Sequence, residues 1–475
     1  MRRILFAPVL AAGLLGGHAP ALAQGLPASL FTATGAIGAP EETMLLRRFA
    51  LTESEGRMAG EHARLSIPVY LRPQEMGARA VVQIGLETAI SVMPEASLIE
   101  VRFNDTPIGS SSLVGSGARR RIAHEVPQGL LRPGWNLVTL TTRQRHRVDC
   151  STAATYELWS QIDPETSGLL IGTHDAGLQS LTDLASLVPG RDGRHRLRAV
   201  LPEGASAETV NLSVRAISLL ASRLGFNEPV VDVAHTTGSG PGLDVIMGPR
   251  GQLAALGAGR IPDEGAIAVY DDASHERFQL VIAASGPRAA SQAVGILERL
   301  PAQQDALGVL NAPLLEPQTS VTFAELGEDS REFDGRLYET RFQVRFPSDF
   351  FPSDVGRVAI RLSGAYAPGL SQDSQLTVRV NGAVAGALAL GREDGAVFSE
   401  QAVYVSLAAF RPGLNMVEIE AQLVHPDDAV CLPSVMLDSP TRFLILSESS
   451  INVPRYPRIA RVPRLTQGFQ LDVLG

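Results

Sequence analysis

Two stretches far apart in this chain carry the same turn chemistry at nearly constant spacing. EVRFND at 100–105, LRPGWNLVTL at 131–140 and Cys150 return as TVRVNG at 377–382, FRPGLNMVEI at 410–419 and Cys431. Asn104 and Asn381 lie 277 apart, Pro133 and Pro412 279, and Cys150 and Cys431 281. A segment that recurs with its turns intact folds twice into one kind of unit. The two cysteines of the chain hold equivalent places in the two copies.

The copies read as strands. ARLSIPVYL, AVVQIGLETA, SLIEVRFND and WNLVTLTT alternate apolar and polar residues, and Asn-Asp and Pro-Gly turns separate them. TRFQVRF, VAIRLSG, LTVRVNG, AVYVSL and NMVEIEAQL repeat the pattern. Short strands with such turns and no long helix predict jelly-roll β-sandwich modules over 46–168 and 318–440.

Between them, 180–302 has another rhythm. LRAVL at 197–201 precedes a helix at about 206–224, which opens on Ser206 and ends at Gly225. PVVDVAH, LDVIMG, AIAVYDD and FQLVIAA then alternate with a short helix near 250–257 and another at 287–300. Strands apolar throughout, interleaved with helices, predict a parallel sheet covered on both faces, a flavodoxin-like α/β domain. Residues 441–475 read as a linker towards a further element.

The N-terminus has the three parts of a cleaved signal peptide over 1–23: Arg2 and Arg3, an apolar run from Ile4 to Gly17, and Ala21-Leu22-Ala23. Residues 24–45 follow as a leader. Without Arg2 and Arg3 the net charge moves from −9 to about −11, which argues against nucleic acid as a main partner. In an oxidising periplasm Cys150 and Cys431 are expected to pair; two buried thiols are the alternative.

Chemistry is sparse. There is no G-x-S-x-G elbow. TTGSGPG at 236–242 lacks a Walker lysine and precedes a strand, so it reads as a loop. PEGASAE at 202–208 is short for a flavin phosphate loop, and no cofactor is expected. His425-Pro426-Asp427-Asp428 offers too few oxygens for calcium and reads as a solvated turn. The run Arg143, Arg145, His146, Arg147 reads as charge guarding a strand edge. Tyr156, Trp159 and Trp135 are the candidate glycan or partner contacts, since sugar faces stack on flat aromatic rings. Leu414 stands at the matched place of Trp135, which favours a core role for that tryptophan.

HRVDCSTAATYELWSQI at 146–162, RFPSDFFPSD at 345–354 and SINVPRYPRIARVPRL at 450–465 resemble the periplasmic B subunit family of bacterial cellulose synthase, BcsB. The resemblance covers essentially the whole mature chain. It implies carbohydrate-binding-like jelly rolls alternating with flavodoxin-like modules, and a non-catalytic role at the inner membrane. The family's partners are the membrane-embedded A subunit, which makes β-1,4-glucan from UDP-glucose, and the emerging glucan itself. The family is often labelled cyclic di-GMP-binding, but no nucleotide site is visible in these residues. In the family the chain continues into a second α/β domain and a C-terminal transmembrane helix. Past Gly475 the resemblance leaves these to a longer chain or to another polypeptide. The alternative function is a secreted polysaccharide-active enzyme with flanking binding modules.

Overall fold

The turns that repeat in the sequence are the same structure twice. Asn104 and Asn381 both sit at positive φ, 47° and 52°, where asparagine is tolerated better than most residues. Asn104 Nδ2 donates to Asn136 Oδ1 at 2.8 Å, and Asn381 Nδ2 to Asn415 Oδ1 at 2.9 Å. Asn136 and Asn415 in turn donate to the carbonyls of Arg132 and Arg411. Gly134 and Gly413 complete the two turns at φ of 90° and 81°, a region closed to most side chains. The Arg-Pro-Gly-x-Asn strings therefore encode one bracket that ties a strand start to the neighbouring hairpin.

The structure is a computed structural model that describes residues 44–459, apart from 173–176, 227–228, 272–275, 304–311 and 432–439. The signal peptide and most of the leader lie outside the described residues, as does the chain after Ile459.

Each copy is a sandwich of a six-stranded and a four-stranded antiparallel sheet. In the first, the small sheet runs His62–Leu71, Gly134–Arg143, Leu98–Phe103, Thr106–Ser112. In the second it runs Leu337–Phe346, Gly413–Gln422, Gln375–Val380, Ala383–Ala389. The large sheets match strand for strand in the same way. Alternation builds the cores: Phe342, Val344, Val417, Ile419, Leu376 and Val378 are buried inward, while Arg341, Gln343 and Glu418 point out.

The middle segment is α/β, but it is not a flavodoxin sheet. Its strands, Arg196–Val200, Val230–Ala234, Gly242–Gly248, Ile267–Asp271 and Arg277–Ala283, lie in the order 2-1-3-5-4, and the fourth is antiparallel to the fifth. A flavodoxin order is 2-1-3-4-5. Coverage differs too. Helices Ala207–Leu224 and Pro287–Leu297 pack together on one face, over Leu197, Leu243, Leu280 and Ile282. Among the described residues, the other face carries the turn segment with Leu253 and Leu256, over Val200, Ile246 and Val281. The segment expected as a helix near 250–257 is a single 3-10 turn, Arg250–Gln252, and it cannot carry the chain back for a parallel return. The long helix is capped as its sequence dictates: Ser206 accepts from the Thr209 amide, and Gly225 closes it at φ 71°.

The glycine-rich 236–242 loop has a structural use. The buried pair Arg277–Asp244 anchors it: the Gly238 amide donates to Asp244, and Arg277 donates to the Gly240 carbonyl. A Cβ at Gly238 would lie 2.1 Å from the Arg277 guanidinium.

Candidate functional site

The two sandwiches meet along a seam of buried charge. Glu61, in the turn before His62–Leu71, is 1% exposed. It accepts from Arg145 Nη1 at 3.0 Å and from Arg336 Nη1 at 2.9 Å, and the Arg336 backbone amide donates to its other oxygen. Arg145, also 1% exposed, reaches on to Asp334 at 2.6 Å. His62 faces the same Asp334 at 3.1 Å and stacks edge-on against Phe333. Arg442 and Arg336 engage Asp428 at 2.6 and 3.3 Å. Burial alone would raise the Asp334 carboxyl, but the bonds from His62 and Arg145 hold it far below the ordinary carboxylate range. Asp428 is lowered in the same way, with Arg442 overcoming burial.

Cys150 and Cys431 close the seam as a disulfide, with S–S 2.03 Å and Cα atoms 5.5 Å apart. The Arg143–Arg147 run is thus not a guarded strand edge. Arg145 is the core of a domain contact, and Asp428 is committed to arginines in place of a solvated turn. Sequence reasoning missed Glu61, Asp334, Arg336 and Arg442 altogether. One signal was present: at the 279-residue offset the partner of Arg145 is Val424, a charge where its copy has an apolar residue.

The three candidate contact residues go to three places. Trp135 packs edge-to-face on Tyr70, ring centroids 5.2 Å apart, and the pair docks into the α/β core beside Leu184 and Leu187. It is committed to packing between the first sandwich and the α/β segment, so it offers no free sugar platform. Trp159 is half-buried against the first core, with the Arg57 guanidinium 4.2 Å over its ring. Tyr156 alone is exposed, at 59%.

Tyr156 rises from the 3-10 turn Ala153–Glu157, which follows the disulfide. Burial raises its phenol first, and the carboxylates of Glu420 and Glu339 on the second sandwich add to this. Those residues lie on the outer face of the second four-stranded sheet, where Glu339 opposes Glu420 and Arg341 opposes Glu418. Arg341 pairs with Glu418 at 3.1 Å, and Gln422 donates to Glu420 at 3.0 Å. Burial raises the Glu339 carboxyl, Arg341 opposes this, and Glu420 and Glu418 add to it. No cluster of His, Cys, Asp and Glu among the described residues has the arrangement of a metal site.

The described residues thus form a β-sandwich protein with two like modules around an α/β insert. Two family models match, described as "Cellulose synthase BcsB, first CBM domain" over residues 41–173 and "Cellulose synthase BcsB, second CBM domain" over residues 320–450. Together they take in more than half of the chain, which belongs to the BcsB family of cellulose synthase subunits. No curated protein matches the chain. Among solved structures, similar ones include the CBM36-1 domain of a multidomain xylanase from the hindgut metagenome of Trinervitermes trinervoides. It is 12% identical, with 25% of this chain and 78% of that one covered, at a TM-score of 0.17. A family 35 carbohydrate binding module from an environmental isolate is 14% identical, with 25% and 69% covered, at a TM-score of 0.16.

Proposed function

We propose that this protein is the non-catalytic periplasmic subunit of a bacterial cellulose synthase. It is exported by a cleaved signal peptide, supports the membrane-embedded catalytic subunit, and guides the β-1,4-glucan as it emerges. The observation that carries this reading is the rigid union of two carbohydrate-binding-type modules by one covalent bond and a buried ion network. A guide needs sugar-facing surfaces held at fixed separation, and that seam supplies it. The α/β segment acts as a spacer and docking body, since it is tied to the first sandwich through Tyr70 and Trp135.

The test has two arms. The full chain is mixed with the catalytic subunit in detergent, and co-elution is followed. Separately, cellohexaose binding is measured by calorimetry. Co-elution together with sugar binding is the expected result; failure of both ends the proposal.

One observation favours a second reading, polysaccharide hydrolysis. Glu339, whose carboxyl burial raises as a general acid requires, lies opposite Glu420 in the strand pair. Reducing-end release from cellohexaose that is lost in Glu339→Gln would support it. Absence of release from the parent protein removes it.

A further inference from the structure

The larger sheets of the two sandwiches match strand for strand, yet one row across their outer faces differs in chemistry. In the second copy Ala359 pairs with Tyr404 on one side and with Asn452 on the other, and Asn452 pairs with Ser320. In the first copy the same row reads Glu125, Val81, Leu170 and Leu46. A shared bracket fixes the match: Ser449 bonds the backbone of Ser363 as Ser167 bonds that of Gly85, and these stand equally far along their strands from Ala359 and Val81. The duplication kept the scaffold and exchanged the outward groups.

The row in the second copy is open. Val403 and Val405 are buried, so strand alternation turns Tyr404 outward, where it is 55% exposed. Its cross-strand neighbour Ala359 carries a single methyl, so no tall side chain stands beside the ring there. Asn452 donates to Ser450 Oγ at 2.8 Å. Among the described residues, the Asn452 Oδ1 and the hydroxyls of Ser320 and Tyr404 have no partner. Arg361, one row along, stands 3.8 Å from Glu400, so the nearest charges cancel.

A flat ring beside amide and hydroxyl groups without net charge matches a neutral sugar chain. The C–H faces of its rings stack on the aromatic, and its hydroxyls both donate and accept. A polyanion or polycation would find no compensating charge in the row. The row crosses four strands, three spacings or about 14 Å, room for a short run of sugar rings. The first copy has no ring there and, Glu125 apart, no side chain that can bond a hydroxyl.

We propose that the outer face of the larger sheet in the second sandwich binds a β-linked glucan, with Tyr404 as its stacking ring and Asn452 and Ser320 as the groups that bond its hydroxyls. The inference rests on the glucan-guiding reading and adds the surface that performs it. It also makes the two modules unequal: the second holds sugar, while the first holds the α/β insert through Tyr70 and Trp135.

The experiment is calorimetric titration of the full chain with cellohexaose, set beside Tyr404→Ala, Tyr404→Phe and, at the matched place of the first sandwich, Glu125→Ala. Circular dichroism verifies that each variant is folded. The expected result is about a tenfold loss of affinity for Tyr404→Ala, with Tyr404→Phe within about twofold of the parent because the ring face carries the contact. Glu125→Ala stays at the parent value. Parent-like binding by Tyr404→Ala overturns this site and leaves the glucan-guiding reading in place. Loss of co-elution with the catalytic subunit in Tyr404→Ala, with sugar binding intact, assigns the face to a protein partner and overturns the site too. No binding by the parent chain also overturns it, and co-elution then decides the guiding reading separately.

Discussion

Arg145 donates to Asp334 at 2.6 Å across 189 positions of sequence, linking one sandwich to the other with both groups largely out of water. Arg145 also holds Glu61, so its removal takes one guanidinium from each of two carboxylates, leaving Glu61 to Arg336 and Asp334 to His62 and Arg143. Breaking a buried pair by deleting one partner costs about 3–5 kcal/mol. Arg145→Met should lower unfolding stability by up to that amount in urea titration. A double-mutant cycle with Asp334→Asn should return a coupling above about 1 kcal/mol. Additive effects would show that the contact is not an energetic link.

The disulfide closes a loop of 281 positions. The chain-entropy relation assigns such a loop about 5 kcal/mol, acting on the unfolded chain. Cys150→Ser should therefore lower unfolding stability by up to that amount, and dithiothreitol should do the same to the parent protein. The reduced protein should still fold, because the ion seam is independent of the sulfurs. Equal urea midpoints with and without reductant would remove the disulfide from the account.

His195 is fully buried against Phe226, and burial lowers its pKa to about 4 although the Leu187 carbonyl opposes this. Its ordinary value is about 6.5. The folded state thus binds its proton later than the unfolded chain does. The stabilisation is complete above pH 6.5 and is lost as pH falls from 6.5 to 4, roughly 3 kcal/mol in all. His195→Gln, which cannot charge, should flatten the stability profile in that window. An unchanged slope would count against the assignment.

Asn381 combines positive φ with side-chain bonds to Asn415 and to the Met416 amide. Asn381→Ala loses both the tolerated conformation and the bonds, and should cost about 2 kcal/mol. Asn381→Gly keeps the conformation and should cost about half as much. Asn104 should behave identically in its own copy. Thermal denaturation of the four variants checks this, and a large difference between copies would break the equivalence.

The repeat was legible because turn chemistry is local. A positive-φ asparagine, a Pro-Gly bend and a bracketing asparagine each act within a few residues, so the string announces the structure. Helix Ala207–Leu224 was legible for the same reason, through its Ser206 cap and Gly225 stop. Edge strands such as Thr106–Ser112 and Ala383–Ala389 were not, because TPIGSSS and AVAGALA lack alternating apolar residues and are held by their neighbours.

The sequence by itself determined two like sandwiches around an α/β insert and the equivalent places of their cysteines. Only the tertiary structure decided the strand order 2-1-3-5-4 in the insert, the fates of Trp135 and Tyr156, and the seam of Glu61, Arg145, Asp334 and Arg336. Those outcomes depend on which surfaces meet, and burial is a property of the meeting, not of the residue. A charge reads as solvated from sequence until a second domain, far along the chain, supplies its partner and removes the water.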